Sequence, residues 1–75
     1  MNATAITQAQ SVDDFIAGAP VDFTSTAGAP LRAQFRRVPL AHLRITTREG
    51  RRVADPITSE STARDWFRNL NRSTP

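Results

Sequence analysis

The sequence predicts a single small α+β domain, with the element order α-β-β-β-β-α and both helices on one face of one antiparallel sheet. Three observations predict this fold class. Apolar residues recur at helical spacing near each end of the chain. Between them, apolar and polar residues alternate along short stretches separated by turn-forming sequences. The chain has 75 residues and no cysteine, so one small core must support it without disulfides.

The first helix is predicted to begin after Ser11. The Ser11 hydroxyl can cap the helix, and Asp14 three residues later completes a capping-box-like pair. Phe15 and Ile16 lie on one helical face, and Gly18 followed by a proline ends the run within two turns. A helix this short depends on packing against the rest of the domain.

The domain is predicted to span residues 11–72. Residues 1–10 show no periodicity and are predicted to form a flexible N-terminal tail. Residues 73–75 are predicted to be a disordered C-terminus.

Strands are predicted at residues 21–26 and 31–36, and again from residue 42 to 47. The second strand alternates between an apolar set that faces the core and a polar set that faces away: Leu31, Ala33 and Phe35 against Arg32, Gln34 and Arg36. The third strand repeats this pattern, with Leu43 and Ile45 facing inward.

The turn at residues 48–50 leads into the fourth strand, and its length sets the register. A two-residue loop would place Val53 opposite Thr46 on the polar face. A three-residue loop with Gly50 in the left-handed conformation places Val53 opposite Ile45 on the apolar face. The three-residue loop is therefore predicted.

The second helix is predicted from Ser59 to Asn71, after Pro56 ends the fourth strand. It carries the strongest periodic signal of the chain, an apolar stripe at i, i+3, i+4 and i+7 formed by Ala63, Trp66, Phe67 and Leu70. This stripe is expected to insert into the core.

Positive charge is concentrated in the middle of the chain. The net charge is +3 overall, but −3 for residues 1–30, +6 for residues 31–52 and zero for residues 53–75. All ten basic residues are arginine. Arginine binds phosphates and carboxylates through a bidentate fork, but a GC-rich genome also favours arginine codons over lysine codons. Both explanations remain open at this point.

Seven arginines form the predicted binding surface. Four point away from the apolar side of the sheet, and three lie at bends or at the hairpin tip and extend the patch: Arg32, Arg36, Arg44 and Arg52, with Arg37, Arg48 and Arg51. Local acidic partners are not expected for the sheet arginines. Such a face suits phosphates or an acidic protein surface, whereas the alternative is an ordinary polar sheet face in contact with water.

The arginines of the second helix have a simpler interpretation. Glu60 lies four residues before Arg64, and Asp65 lies three residues before Arg68. Together with Arg72, these arginines are predicted to form a solvated face stabilised by local pairing.

Residues suited to catalysis are lacking. Nucleophilic catalysis needs a base held near a nucleophile, and the single histidine, His42, is predicted to be a partly exposed strand residue without partners. The adjacent carboxylates of Asp13 and Asp14 fit a helix cap better than a metal site. The glycines are too scattered to form a phosphate-binding loop. No enzyme activity, metal or cofactor is therefore expected.

Residues 1–10 lack the basic start and the apolar run of a signal peptide, and no stretch of the sequence is long and apolar enough to span a membrane. The absence of cysteine agrees with a reducing compartment. A cytoplasmic location without membrane contact is therefore expected.

These features predict a small non-enzymatic basic binding protein that docks its arginine-rich sheet face on nucleic acid or on an acidic protein or nucleoprotein complex. In size, lack of catalytic residues and compact layout, the chain resembles the short inhibitors that phages and mobile elements make against host defences, such as anti-CRISPR and anti-restriction proteins. The resemblance implies an inhibitor of a nucleic-acid defence complex. The alternative is a homodimeric regulatory or interaction module whose arginines only keep it in solution.

Overall fold

The computed structural model describes residues 8–72, with only the backbone described for residues 71 and 72. It contains one four-stranded antiparallel sheet of order β1-β2-β3-β4, preceded and followed in the chain by a helix, which confirms the predicted fold class. The elements are α1 Val12–Ile16, β1 Val21–Thr24, β2 Pro30–Arg36, β3 His42–Thr47, β4 Arg52–Ala54 and α2 Glu60–Arg72.

The short helix α1 begins as the sequence predicts. The hydroxyl of Ser11 accepts a hydrogen bond from the backbone N–H of Asp14 at 3.1 Å, which satisfies one of the free donors of the first turn. After the helix, Gly18 adopts φ +116°, a value that side chains with a Cβ rarely tolerate. Glycine here lets the chain turn back towards β1.

The packed part of the chain begins before residue 11. The backbone N–H of Ala9 donates to the carbonyl of Pro20 at 2.8 Å, and Ala9 is buried. The side-chain oxygen of Gln8 accepts from the N–H of Asp22 at 2.7 Å. Residues 8–10 are thus anchored beside β1, while the rest of the predicted tail and residues 73–75 lie outside the described part of the chain.

Strand pairing places the apolar residues of β2 and β3 side by side. Ala33 lies opposite Ile45, and Phe35 lies opposite Leu43. Because side chains alternate across a strand, these four face the helices and the residues between them face away. The side covered by the helices is called the core face below, and the opposite side is the outer face.

The β3–β4 hairpin has the predicted three-residue loop, since Thr47 N–H donates to the carbonyl of Arg51 and Gly50 has φ +98°. The predicted position of Val53 is wrong. A β-bulge follows the loop, so that Ala54 lies opposite Ile45 and Val53 is the extra, unpaired residue with 52% of its surface exposed.

Aromatic side chains fill the core between the helices and the sheet. Phe15 of α1 and Phe67 of α2 are almost fully buried, with ring centroids 5.1 Å apart. Trp66 stacks on Phe15 at 5.6 Å and meets Phe23 edge-on at 5.2 Å, but it is only partly buried. The stripe of α2 therefore enters the core as predicted, with Phe67 and Ala63 deepest and Trp66 closing one side.

Candidate functional site

Three cross-strand rows of side chains on the outer face of the sheet contain the predicted sheet arginines. The row nearest the β3–β4 hairpin contains Asp22, Arg32, Thr46 and Arg52. The middle row contains Gln34 and Arg44, with Asp55 beside Arg44. The last row contains Arg36, His42 and Ile57. The strand alternation thus places all four predicted sheet arginines on this face.

Asp22 organises the first of two ionic clusters. Arg32 binds it in a bidentate manner, donating from Nε to Oδ1 at 2.6 Å and from Nη2 to Oδ2 at 3.3 Å. The Nε of Arg48 approaches Oδ2 at 3.7 Å. The hydrogen bond from Arg32, with the positive charges of both arginines, holds the pKa of Asp22 below its ordinary value against the opposing effect of partial burial.

Asp55 organises the second cluster, at the other side of the same face. Its Oδ1 lies 3.5 Å from Arg44 Nε, and its Oδ2 lies 3.1 Å from Arg52 Nε. Arg44 Nε and Asp55 Oδ1 are shielded from solvent and form no hydrogen bond, so attraction between charges holds this pair. The bulge at Val53 turns Asp55 towards the outer face, where it meets both arginines.

The expectation that the sheet arginines lack acidic partners is therefore wrong for Arg32, Arg44 and Arg52. Each of the two aspartates neutralises part of the charge of two arginines. Because two carboxylates serve four guanidinium groups, the face retains a positive charge.

The three remaining residues of the predicted patch, Arg36, Arg37 and Arg51, differ in where they lie and in whether they have an acidic partner. Arg37 donates to Glu60 at 3.1 Å and lies 5.3 Å from the ring centre of Phe35, so it lies on the core side and does not extend the outer face as predicted. Arg36 and Arg51 form no ion pair with any side chain that the structure describes. Arg36 is the register partner of His42, and Arg51 flanks the hairpin loop.

Local pairing is confirmed for Arg64 and Arg68 of α2. Arg64 binds Glu60 at 3.2 Å and reaches Asp13 of α1 at 3.0 Å, while Arg68 binds Asp65 at 3.4 Å. Hydrogen bonds from Arg37 and Arg64 lower the pKa of Glu60. The side chain of Arg72 lies outside the described residues.

A pocket of about 290 Å³ opens between the β2–β3 loop and residues 55–57. Its rim is apolar and consists of Val38, Pro39, Leu40 and Ile57. Its polar part consists of His42, Arg44, Arg52 and Asp55. The exposed fractions of Val38, Leu40 and Ile57 are 71%, 61% and 72%. Large apolar side chains gathered around one opening commonly mark an interaction site.

His42 lies at the base of this pocket and is only 7% exposed, so the prediction of a partly exposed residue is wrong. Two contacts explain its burial. Its Nδ1 lies 2.7 Å from the carbonyl oxygen of Leu40, and its backbone forms a bridge with Ile57 on the neighbouring segment. His42 therefore lies between the β2–β3 loop, which its ring contacts, and the segment that its backbone pairs with.

Sequence reasoning missed the pocket because its rim comes from segments without periodicity. Val38 and Leu40 flank Pro39 in a loop, and Ile57 follows Pro56. One feature of the sequence could have indicated the pocket: these large apolar residues lie in turn-like segments and belong to none of the predicted core faces.

Comparison of the chain with protein-family models, with curated proteins and with solved structures finds no match. Within residues 8–72, neither helix combines the length and hydrophobicity that crossing a bilayer requires. The same residues contain no group of three or more side chains suited to holding a metal ion. The arrangement on the outer face favours binding of a group that is partly apolar and is attracted by positive charge.

Proposed function

We propose that this protein is a small non-enzymatic binding protein that docks the outer face of its sheet on an acidic surface of a protein partner. The observation that carries this proposal is the pocket beside the Asp55 cluster, where exposed Val38, Leu40 and Ile57 lie next to two arginines. Protein interfaces commonly combine a few apolar contact residues with charged and polar residues around them.

The composition of the face favours a protein over nucleic acid. Sheet-type binders of single-stranded nucleic acid stack bases on exposed aromatic rings. The rings of Phe15, Phe35 and Phe67 are buried, and Trp66 and Phe23 pack against the core. Any anion must compete with the aspartates that already engage the arginines, but the apolar rim would gain nothing from phosphates and would gain from the apolar side chains of a protein.

The charges available to a partner lie around the pocket. The Arg52 side chain is 68% exposed, although it contacts Asp55, and Arg36 has no ion pair among the described residues. A complementary acidic surface would speed association and orient the partner, while the apolar contacts would supply most of the affinity.

The biological role we propose is inhibition of a host nucleic-acid defence complex by a phage or mobile-element protein of the anti-CRISPR or anti-restriction type. A stoichiometric inhibitor needs a docking surface and no reactive groups, which agrees with a domain of this size and composition. We propose that it acts in the cytoplasm.

Site-specific photo-crosslinking in cells tests the docking surface. A photoreactive amino acid is placed at Val38 on the pocket rim and, in a control variant, at Ser61 on the exposed side of α2. The proposal predicts a discrete protein adduct for the Val38 variant only, lost when Arg44→Gln and Arg52→Gln are added. Equal adducts at both positions, or none at Val38, would contradict it.

Fluorescence anisotropy with single-stranded and double-stranded oligonucleotides tests the competing ligand. The proposal predicts weak binding that does not depend on the pocket rim. Tight binding that falls steeply with salt and with Arg32→Gln and Arg52→Gln would instead identify a nucleic-acid-binding face.

A homodimeric interaction module is the second candidate, because the same exposed apolar residues could pair with a second copy. Symmetry would then bring the arginines of two outer faces together, which opposes association. Sedimentation equilibrium at high protein concentration distinguishes the two. A monomer supports the first function, and a dimer lost on Ile57→Ser supports the second.

A further inference from the structure

The pocket has a shape and polarity that restrict what can enter it. Its volume of about 290 Å³ lies at the lower limit of pockets that hold small organic ligands. The space therefore suits one large side chain better than a nucleotide or another extended cofactor. The rim of Val38, Leu40 and Ile57 favours an occupant with an apolar body.

The base of the pocket adds a hydrogen-bonding requirement through His42. A carbonyl oxygen can only accept, so the 2.7 Å contact with Leu40 means that Nδ1 carries the proton and donates it. In the neutral ring, Nε2 is then an acceptor. It has no hydrogen-bond partner among residues 8–72 and stays accessible to solvent at the pocket, although His42 as a whole is only 7% exposed. An occupant that donates a hydrogen bond would satisfy this atom.

The charges beside the pocket exclude a cationic donor. Arg44 and Arg52 line the pocket, and Arg36 lies across from His42 in the strand register. Lysine or arginine from a partner would be repelled, and serine or threonine is too small to cover the apolar rim. Asp55 offsets only part of the charge of its two arginines, so the lining of the pocket stays positive overall.

We infer that the pocket binds a tyrosine side chain within an acidic segment of the partner protein, an inference that rests on the proposed docking function. Tyrosine carries its hydroxyl at the far end of the ring, so the ring meets the rim while the hydroxyl reaches the base. The hydroxyl donates to Nε2 of His42 and can accept from the guanidinium group of Arg44. Glutamate or aspartate residues beside the tyrosine face Arg52 and Arg36.

Three peptides test this inference by isothermal titration. The first is an N-acetylated, C-amidated pentapeptide with tyrosine between two pairs of glutamates. The second replaces tyrosine with phenylalanine, and the third replaces the glutamates with lysines. We expect binding of the first, about tenfold weaker binding of the second because one buried hydrogen bond is lost, and at least as large a loss for the third.

Two surface variants locate the binding. Ile57→Ser removes part of the rim, and Val53→Ser changes an exposed apolar side chain of the same region that does not line the pocket. Both positions are exposed, so both variants should fold. Loss of peptide binding in the first variant alone supports the inference. Equal effects of the two substitutions overturn it.

The histidine is tested separately by long-range ¹H–¹⁵N correlation spectroscopy of the free and peptide-bound protein. The expected spectrum shows a proton on Nδ1 and a shift of Nε2 when the tyrosine peptide is added. A proton on Nε2 in the free protein, or equal affinity for the tyrosine and phenylalanine peptides, overturns the inference. If no peptide binds up to millimolar concentration while crosslinking at Val38 succeeds, the tyrosine assignment fails and the docking function stands; if crosslinking also fails, both are wrong.

Discussion

The two faces of the sheet use their side chains in opposite ways. On the core face, Phe35 and Leu43 are almost completely buried beneath Phe15 and Phe67 of the helices. On the outer face, Ile57 and the neighbouring loop residue Val38 remain mostly exposed, although they are just as apolar. Burial on one side therefore stabilises the fold, whereas exposure on the other leaves apolar surface available to a partner.

The charged side chains also differ between the helix side and the outer face of the sheet. The ion pairs on the helix side fasten elements together, since Arg37 joins the β2–β3 loop to α2 and Arg64 joins α1 to α2. On the outer face, each aspartate is shared by two arginines and positive charge remains. The charges on the helix side are therefore balanced by one another, whereas the charges on the outer face are balanced only in part.

The largest expected effect is that of Phe67→Ala in the core. Removing this 1% exposed ring should lower the free energy of unfolding by about 3–5 kcal/mol. A domain of this size is typically stable by only a few kcal/mol, so the variant should be largely unfolded by circular dichroism. Leu40→Ala on the pocket rim is the matched control and should change stability by no more than about 0.5 kcal/mol. A folded Phe67→Ala protein of unchanged stability would refute the core assignment.

Trp66→Ala should have a smaller effect than Phe67→Ala, because Trp66 is only partly buried. We expect a loss of about 2–3 kcal/mol from its contacts with Phe15 and Phe23, measured by urea denaturation. Trp66→Phe keeps most of the contact area and should recover much of the loss. If Trp66→Ala lowered the free energy of unfolding more than Phe67→Ala, the conclusion that Phe67 lies deeper in the core than Trp66 would be wrong.

Asp22→Asn should cost about 0.5–1 kcal/mol near neutral pH, in the upper range for solvent-accessible ion pairs. Because the pKa of Asp22 is lowered in the folded protein, its stabilising effect is present above the unfolded-state pKa and is lost as pH falls through the folded-state value. The difference between the native protein and the variant should therefore close below about pH 4.

Urea midpoints measured between neutral and acidic pH check this prediction. Asp65→Asn, on the exposed side of α2, is the control with a smaller expected effect. A gap between native and Asp22→Asn protein that does not change with pH would contradict the assignment of the Arg32 bond.

The smallest effect is expected for Arg64→Gln. The Asp13 carboxylate that it reaches is mostly exposed, so water screens the contact between the helices. The loss of stability should be smaller than that of Asp22→Asn and should vanish at high salt. Arg68→Gln, which loses a single exposed partner, is the comparison. A loss that persists at high salt would indicate that Arg64 stabilises the contact between α1 and α2 by packing and not by charge.

Much of the fold could be predicted because local patterns determine it. Alternation through Ala33 and Phe35 identifies the core face of β2, and the stripe ending at Leu70 identifies α2. The β-bulge could not be predicted, since alternation in a three-residue strand does not show where an extra residue enters. Val53 was misplaced for this reason.

The candidate site was only partly predictable, because its ion pairs depend on which strands become neighbours. Asp22 lies between two inward-facing residues, so its outer position could be read from alternation, but its contact with Arg32 needed the hairpin register. The place of Asp55 depends on the bulge. Burial of His42 depends on how the β2–β3 loop folds over it, which no periodic pattern encodes.

The most direct test of the contrast between the faces is the free energy of unfolding of the triple variant Val38→Ser, Leu40→Ser and Ile57→Ser, measured by urea denaturation. Because these side chains are exposed and lie outside the buried core, the account predicts a stability within about 1 kcal/mol of the native protein, together with loss of binding to the acidic tyrosine peptide. A loss of several kcal/mol would show that the rim is part of the core and contradict the assignment of the outer face to binding.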